Sequence, residues 1–176
     1  MPRIRPYRAG DWDAFLALDL ETGLATIRPA PPSEHEAFTS RWAAYLKSAF
    51  GWTDAGPTAH ASVLLILEDD DAAYAGHLWL CEREDTFSGT VRLYVNTVAI
   101  VERFRSRGWG RLLMQRAIEE ARARGLHSVG LAVAADNVVA RKLYEEMGFE
   151  SRQITMVMQV KDPPSHAMRA SKPPAS

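Results

Sequence analysis

Cysteine is nearly absent from this chain, with Cys81 standing alone in 176 residues. A single thiol excludes an internal disulfide framework and any cysteine-rich zinc site, and it suits a reducing cytoplasm. Long apolar runs are missing too, since the longest aliphatic block, Val63 to Leu67, is far too short to cross a bilayer. The opening segment MPRIRPYRAGDWD is positive but has no apolar stretch behind it, so no secretory signal is expected. Excess charge of either sign is also lacking. With 21 basic and 22 acidic side chains the formal charge is −1, which leaves no global field to recruit nucleic acid or an anionic membrane. His35, His60, His77, His127 and His166 lack ligand spacing, so no metal site is expected. No internal repeat is visible.

What is present is ordinary globular composition, 47% hydrophobic and 24% charged, in a chain long enough for one domain with a real core. Ile4 to Tyr7 reads as a short strand, and Asp11 can cap a helix running through Trp12, Phe15, Leu16, Leu18 and Asp19 toward Gly23. Pro29 to Pro32 breaks the chain. Ser33 with Glu36 then fits a capping box that opens a helix carrying Phe38, Trp42, Tyr45 and Leu46. Ala61 to Leu67 and Ala73 to Cys81 read as an antiparallel hairpin with a charged tip, and Thr90 to Val101 as a third strand rich in β-branched residues.

Gly108 to Arg124 is the strongest helical pattern, with Leu112, Leu113, Ala117, Ile118 and Ala121 on one face and Gly125 as the stop. Ser128 to Val133 reads as a strand buried on both faces, Asn137 to Met147 as a helix closed by Gly148, and Ile154 to Lys161 as a last strand. Residues 162–176 are rich in Pro, Ser and Ala, which predicts a disordered tail and leaves 1–161 as the single domain. The order of elements predicts a mixed α/β fold with an antiparallel start and a later βαβ unit.

The turn between the third strand and the long helix reads Arg105, Ser106, Arg107, Gly108, Trp109, Gly110, Arg111. Backbone N–H groups at a helix N-terminus have no intrahelical partners, and the macrodipole adds partial positive charge, so an anion there gains several hydrogen bonds. Glycines at 108 and 110 let a ligand approach the backbone. Taken alone, a GxG is more often just a tight turn. A dinucleotide-binding turn is disfavoured because Leu113 stands where a third glycine belongs, and no P-loop Lys-Ser/Thr follows. The surrounding arginines make the segment a pyrophosphate grip with side-chain as well as backbone donors.

The stretch from Val98 through Gly110 resembles the acyl-CoA motif RxxGxG of the GCN5-related N-acetyltransferases, with Arg105, Gly108 and Gly110 in the motif positions. Asp136, Asn137, Ala140, Leu143, Tyr144, Glu145, Met147, Gly148 and Phe149 resemble the same family's "N…A…LYE..GF" signature. Two motifs in the family's order are far more specific than either alone, and the resemblance is close from about Leu93 to Phe149. It implies a mostly antiparallel central sheet of about six to seven strands flanked by about four helices, with a V-shaped splay between two strands. It also implies acetyl-CoA as co-substrate. The pyrophosphate would lie on Arg105, Ser106, Arg107, Gly108, Trp109, Gly110 and Arg111. The pantetheine arm, whose amides pair like a peptide strand, would run along Val98, Ala99 and Ile100, with Asn137 nearby.

In the family's pattern Tyr144 is the general acid that protonates the departing thiolate. A phenol of pKa about 10 can serve a thiolate whose conjugate acid lies near 8.5 or above. Taken singly, Tyr144 would be a packing residue beside Leu143 and Phe149, and Asn137 a helix N-cap. The base has no match. Ala132 stands where a peptide-acetylating branch carries glutamate, and Tyr94 falls near where histone-acetylating relatives carry theirs. Tyr94 and Asn96 share one strand face by its two-residue period and could order a water that relays the proton. Glu82, Glu84 and Asp85 are the nearest acidic candidates, each more simply read as solvated loop. Trp12, Trp42, Trp52 and Trp79 could wall an acceptor pocket, although core packing explains most tryptophans.

These readings rank an N-acetyltransferase acting by direct transfer to a primary amine of a small molecule or peptide first. A catalytically silent acyl-CoA binding or regulatory module comes second. Nucleic-acid binding through Arg103, Arg105, Arg107 and Arg111 comes third. An exposed last strand or the helix bearing Trp42 could pair two subunits into a homodimer.

Overall fold

The computed structural model describes residues 1–26, 35–85, 88–156 and 158. Strand β1 (Arg3–Pro6) leads into helices α1 (Trp12–Thr26) and α2 (His35–Phe50), and a short ribbon, β2 (Trp52–Thr53) with β3 (Gly56–Pro57), follows. Then come β4 (Val63–Asp69), β5 (Ala72–Glu84), β6 (Val91–Ile100), α3 (Trp109–Ala123), β7 (Val129–Leu131) and α4 (Val138–Glu146). The main sheet has the order β1-β4-β5-β6-β7. Every pairing in it is antiparallel except β6 with β7, which α3 connects as a βαβ crossover.

The unbroken apolar run of β4 has a simple cause. Leu65 and Leu67 point into one core with Leu78, Leu80, Leu113, Met114 and Ala117, while Leu64 and Ile66 point into a second with Phe15, Leu46, Phe50 and Trp79. Both faces are therefore covered, α3 and α4 on the first and α1 and α2 on the second, so alternation is not needed to keep one face polar. Each such buried side chain contributes roughly 1.5–3 kcal/mol relative to exposure.

A polar chain crosses the second core. Asp19, almost fully buried, accepts from Trp42 Nε1 at 2.8 Å, tying α1 to α2. Its other oxygen lies 3.6 Å from His77 Nε2, and His77 Nδ1 shares a 2.6 Å hydrogen bond with the Tyr74 hydroxyl.

Three expectations need correction. Among the described residues the central sheet has five strands, with two more in the separate ribbon. The strand expected over Ser128 to Val133 shortens to Val129–Leu131, because its pairing with β6 ends there. Ile154 to Lys161 forms no strand where it is described: residues 151–156 are irregular, with Ile154 and Met156 exposed, and 157 and 159–161 lie outside the described residues. Alternating apolar residues register a preference for a half-buried pleated surface, and none covers these. Pro29 to Pro32, Ser33, the Glu36 side chain and the tail at 162–176 also lie outside the described residues.

Candidate active site

The site begins with one extra residue. Trp79 pairs with Thr97 and the next residue, Leu80, pairs with Val95, so Asn96 is left over as a β-bulge. The bulge reverses the facing of the strand. Before it Leu93 and Val95 enter the core under α3, and after it Val98 and Ile100 do. Pairing with β7 stops at the same point, Val95 with Leu131. From Asn96 to Ile100 strand β6 has β5 on one side and, among the described residues, no strand on the other. This is the expected splay, and it leaves main-chain groups of Val98 and Ile100 along one edge, while those of Ala99 turn toward β5 beside His77.

Beyond that edge Phe104 turns inward and stacks on Trp109 at 5.3 Å. Ser106 and Gly108 both adopt left-handed backbone, at φ 62° and 78°. The first helical bond of α3 runs from Leu112 N–H to the Gly108 carbonyl, so the N–H groups of Trp109, Gly110 and Arg111 stay outside the ladder. The two glycines have different jobs. Gly108 is required by its backbone conformation. Gly110 is a matter of space, since a Cβ there would lie 3.2 Å from Leu143 Cδ2, which would have to give by a few tenths of an ångström, and in ordinary contact at 3.9 Å from Ile100 Cδ1.

The side chains of the turn are already engaged. Arg105 donates from Nε to the Ile100 carbonyl at 3.0 Å and from Nη2 to Glu21 at 3.2 Å. Arg107 donates to the Arg103 carbonyl, and Arg111 is paired with Glu146 of α4. Trp109 is buried, so its indole belongs to the core and only its main chain faces the turn. Arg103 opens onto a cleft of about 370 Å³ lined also by Leu18, Glu21, Tyr74 and Val101.

Asn137 caps α4, its side chain accepting from Ala140 N–H at 3.1 Å. At the other end Phe149 N–H bonds the Tyr144 carbonyl at 2.9 Å and Gly148 N–H the Glu145 carbonyl at 3.0 Å, a Schellman ending that folds Phe149 back onto Tyr144. Their rings are 5.8 Å apart. Tyr144 packs against the core under α3, and burial pushes its phenol above the ordinary value.

On the opposite face of the fork stand Tyr94, packed on the second core, and Asn96, within 3.5 Å of Cys81 Sγ. Sequence reasoning missed their common partner, Arg83, whose guanidinium lies 3.7 Å over the Tyr94 ring and donates to Asn96 Oδ1. The signal was there, because Arg83 follows Cys81 by one strand period and Cys81 faces Tyr94.

Two of the three acidic candidates are committed elsewhere, and Glu84 is exposed. Glu82 pairs with Arg124 at the end of α3, and Asp85 pairs with Arg92 and accepts from Ser88. Ala132 lies just beyond β7. Trp12, Trp52 and Trp79 form an edge-to-face cluster in the second core, with Trp42 on Asp19, so packing and the buried polar chain account for them. Among the described residues no group of His, Cys, Asp and Glu is arranged to hold a metal, and no helix is long and apolar enough to cross a membrane.

Mycothiol acetyltransferase of Beutenbergia cavernae is 36% identical over 85 residues, 48% of this chain and 27% of that protein. The ribosomal protein bS18 alanine N-acetyltransferase of Salmonella typhimurium is 39% identical over 57 residues, 32% of this chain and 38% of that one. The matches thus span well under half of either relative. An inferred acetyl transferase from Pyrococcus furiosus has the same fold, with a TM-score of 0.75 over 91% of this chain and 100% of that one at 24% identity. The Acetyltransferase (GNAT) family matches residues 26–149, and acetyl-CoA is the co-substrate of that family. The bulged and splayed strand, the glycine turn and the helix that follows therefore have a common origin: the chain belongs to the GNAT acetyltransferase family.

Proposed function

We propose that this protein is an acetyl-CoA-dependent N-acetyltransferase that moves an acetyl group directly onto a primary amine of a small molecule or peptide. The observation that carries the reading is the junction at Gly110, where the turn, the freed end of β6 and α4 meet within van der Waals reach. Residues 1–161 act as one domain, and the buried thiol of Cys81 suits a reducing cytoplasm.

The donor groups fit the co-substrate. The N–H groups of Trp109, Gly110 and Arg111 hold the pyrophosphate, with the arginines around Ser106 and Gly108 supplying charge. Main-chain groups of Val98 and Ile100, on either side of Ala99, take the pantetheine amides, beside Asn137. Bound acetyl-CoA supplies a thioester carbonyl open to attack. A main-chain N–H at the fork stabilises negative charge developing on that oxygen. The amine approaches from the face of Tyr94 and Asn96; its nitrogen bonds the carbonyl carbon, the carbon–sulfur bond breaks, and Tyr144 gives its proton to sulfur. The extra proton on nitrogen leaves through water ordered by Tyr94 and Asn96. Tyr94 and Tyr144 pack on opposite cores, which supports attack from one face and departure on the other.

The two relatives are named for different molecules, mycothiol and a ribosomal protein alanine, so they do not choose an acceptor here. Free thiol release from acetyl-CoA across an amine panel tests the proposal. Release above the Tyr144→Phe background is expected. Its absence across a broad panel, with acetyl-CoA still raising the melting temperature, would overturn the transferase reading in favour of a silent acyl-CoA module. That second reading draws on one observation, the commitment of Glu82 and Asp85 to arginines.

A further inference from the structure

The last turn of the β5–β6 hairpin sorts its charges by face. Along β5, Trp79, Cys81 and Arg83 share the face toward α1 and α2, and Arg92, Tyr94 and Asn96 meet them from β6. Glu82 projects the other way, toward Arg124 at the end of α3, and Glu84 follows it by the two-residue period. The acceptor face of the fork therefore carries two guanidiniums. Arg92 is neutralised by Asp85 at 2.8 Å. Arg83 has no carboxylate within 4.0 Å among the described residues.

Arg83 is also fixed. Stacking on Tyr94 at 3.7 Å sets the plane of its guanidinium, and the bond to Asn96 Oδ1 sets its rotation in that plane. That bond uses one of five N–H donors, and the remaining edge has the fork geometry that matches a carboxylate. Asn96 Nδ2 has almost no accessible surface and no partner among the described residues, so Asn96 serves this site by holding Arg83 through Oδ1. Both groups stand at the residue where β6 and β7 part.

We propose that Arg83, held by Tyr94 and Asn96, recognises an anionic group on the acceptor, and that the amine acetylated by this protein also carries a carboxylate. The inference rests on the transferase reading above for the place of the acceptor. A fixed cation at this face disfavours polycationic amines and leaves a compact amino carboxylate as the complementary substrate.

The test uses short ω-amino carboxylates and their carboxamides, each measured by thiol release and, separately, by calorimetric binding to the CoA-loaded protein. The native protein is expected to prefer at least one carboxylate over its amide by about tenfold or more. Arg83→Gln removes that preference through KM, and Arg83→Lys restores part of it. Because Arg83 is exposed, both variants should fold, which their melting temperatures check. Equal use of carboxylate and amide by the native protein, or a preference that survives Arg83→Gln, overturns the proposal. If no amine releases thiol, the transferase reading fails while the binding arm still decides. Carboxylate-specific heat lost in Arg83→Gln then supports an anion site, and heat indifferent to either change sinks it.

Discussion

Arg105 reaches back from the turn to the carbonyl of Ile100 at 3.0 Å, so the arginine of the glycine turn holds the end of the very strand whose edge is free. The same side chain meets Glu21 on α1. Its first task is geometric, fixing the distance between strand edge and helix N-terminus. Arg105→Ala should weaken CoA binding by about tenfold, or ~1.4 kcal/mol. Arg105→Lys should recover little, because one ammonium cannot reproduce two directed guanidinium bonds. Calorimetric titration with CoA checks both, and native-like affinity in Arg105→Ala would refute the tie.

Gly110 and Gly108 should fail differently. Gly110→Ala presses on Leu143, the neighbour of Tyr144, so kcat is expected to fall more than KM for acetyl-CoA rises. Adding Leu143→Ala relieves the contact, and the double variant should be more active than Gly110→Ala alone. Gly108→Ala meets open space but keeps a left-handed backbone, so it should cost about 1–2 kcal/mol of stability. Steady-state kinetics and denaturant melts separate the two outcomes.

Tyr144 is raised by burial, and an acid works only while protonated. Its raised pKa keeps the proton in place, so no falling limb due to this group should appear in kcat below about pH 10. Tyr144→Phe should lower kcat by about 10²–10⁴-fold and leave the rising limb of the profile, which belongs to the amine, where it was. A pH–rate profile of both proteins checks this.

Asp11 sets an acid limit. Burial alone would raise its pKa, but the paired bonds from Arg5 and the Arg8 N–H outweigh that and leave it below the ordinary value. A carboxylate depressed in the folded state stabilises above its unfolded pKa of about 3.9, and that contribution drains away as pH falls below it. Urea midpoints between about pH 5 and 3 should therefore fall, with a smaller slope in Arg5→Gln.

Much of this was readable along the chain because it depends on local chemistry. The α3 period, its glycine stop, the capping asparagine at 137 and the turn at 108 and 110 each follow from residues a few positions apart. Pairing is different. Nothing local says that Asn96 is skipped by β5, that β7 stops at Leu131, or that Ile154 and Met156 lack a surface. Tyr94 and Asn96 were placed together by a two-residue period, but Arg83, which joins them, comes from the neighbouring strand and becomes visible only once register is known. Glu82 and Asp85 looked available for the same reason, their arginines being 42 and 7 residues away.

The leftover residue in β6 has a consequence for how this site tolerates change. Substituting Asn96 alters one side chain, whereas deleting it would remove the bulge and let Val95 and Thr97 follow one another in a regular ladder opposite Leu80 and Trp79. Val98 and Ile100 would still face the core under α3, but the local bend and twist that the bulge gives β6 where β7 stops would be lost. The donor cleft is thus set by the number of residues between Val95 and the turn as much as by their identity, and insertions or deletions there should be tolerated far less than replacements.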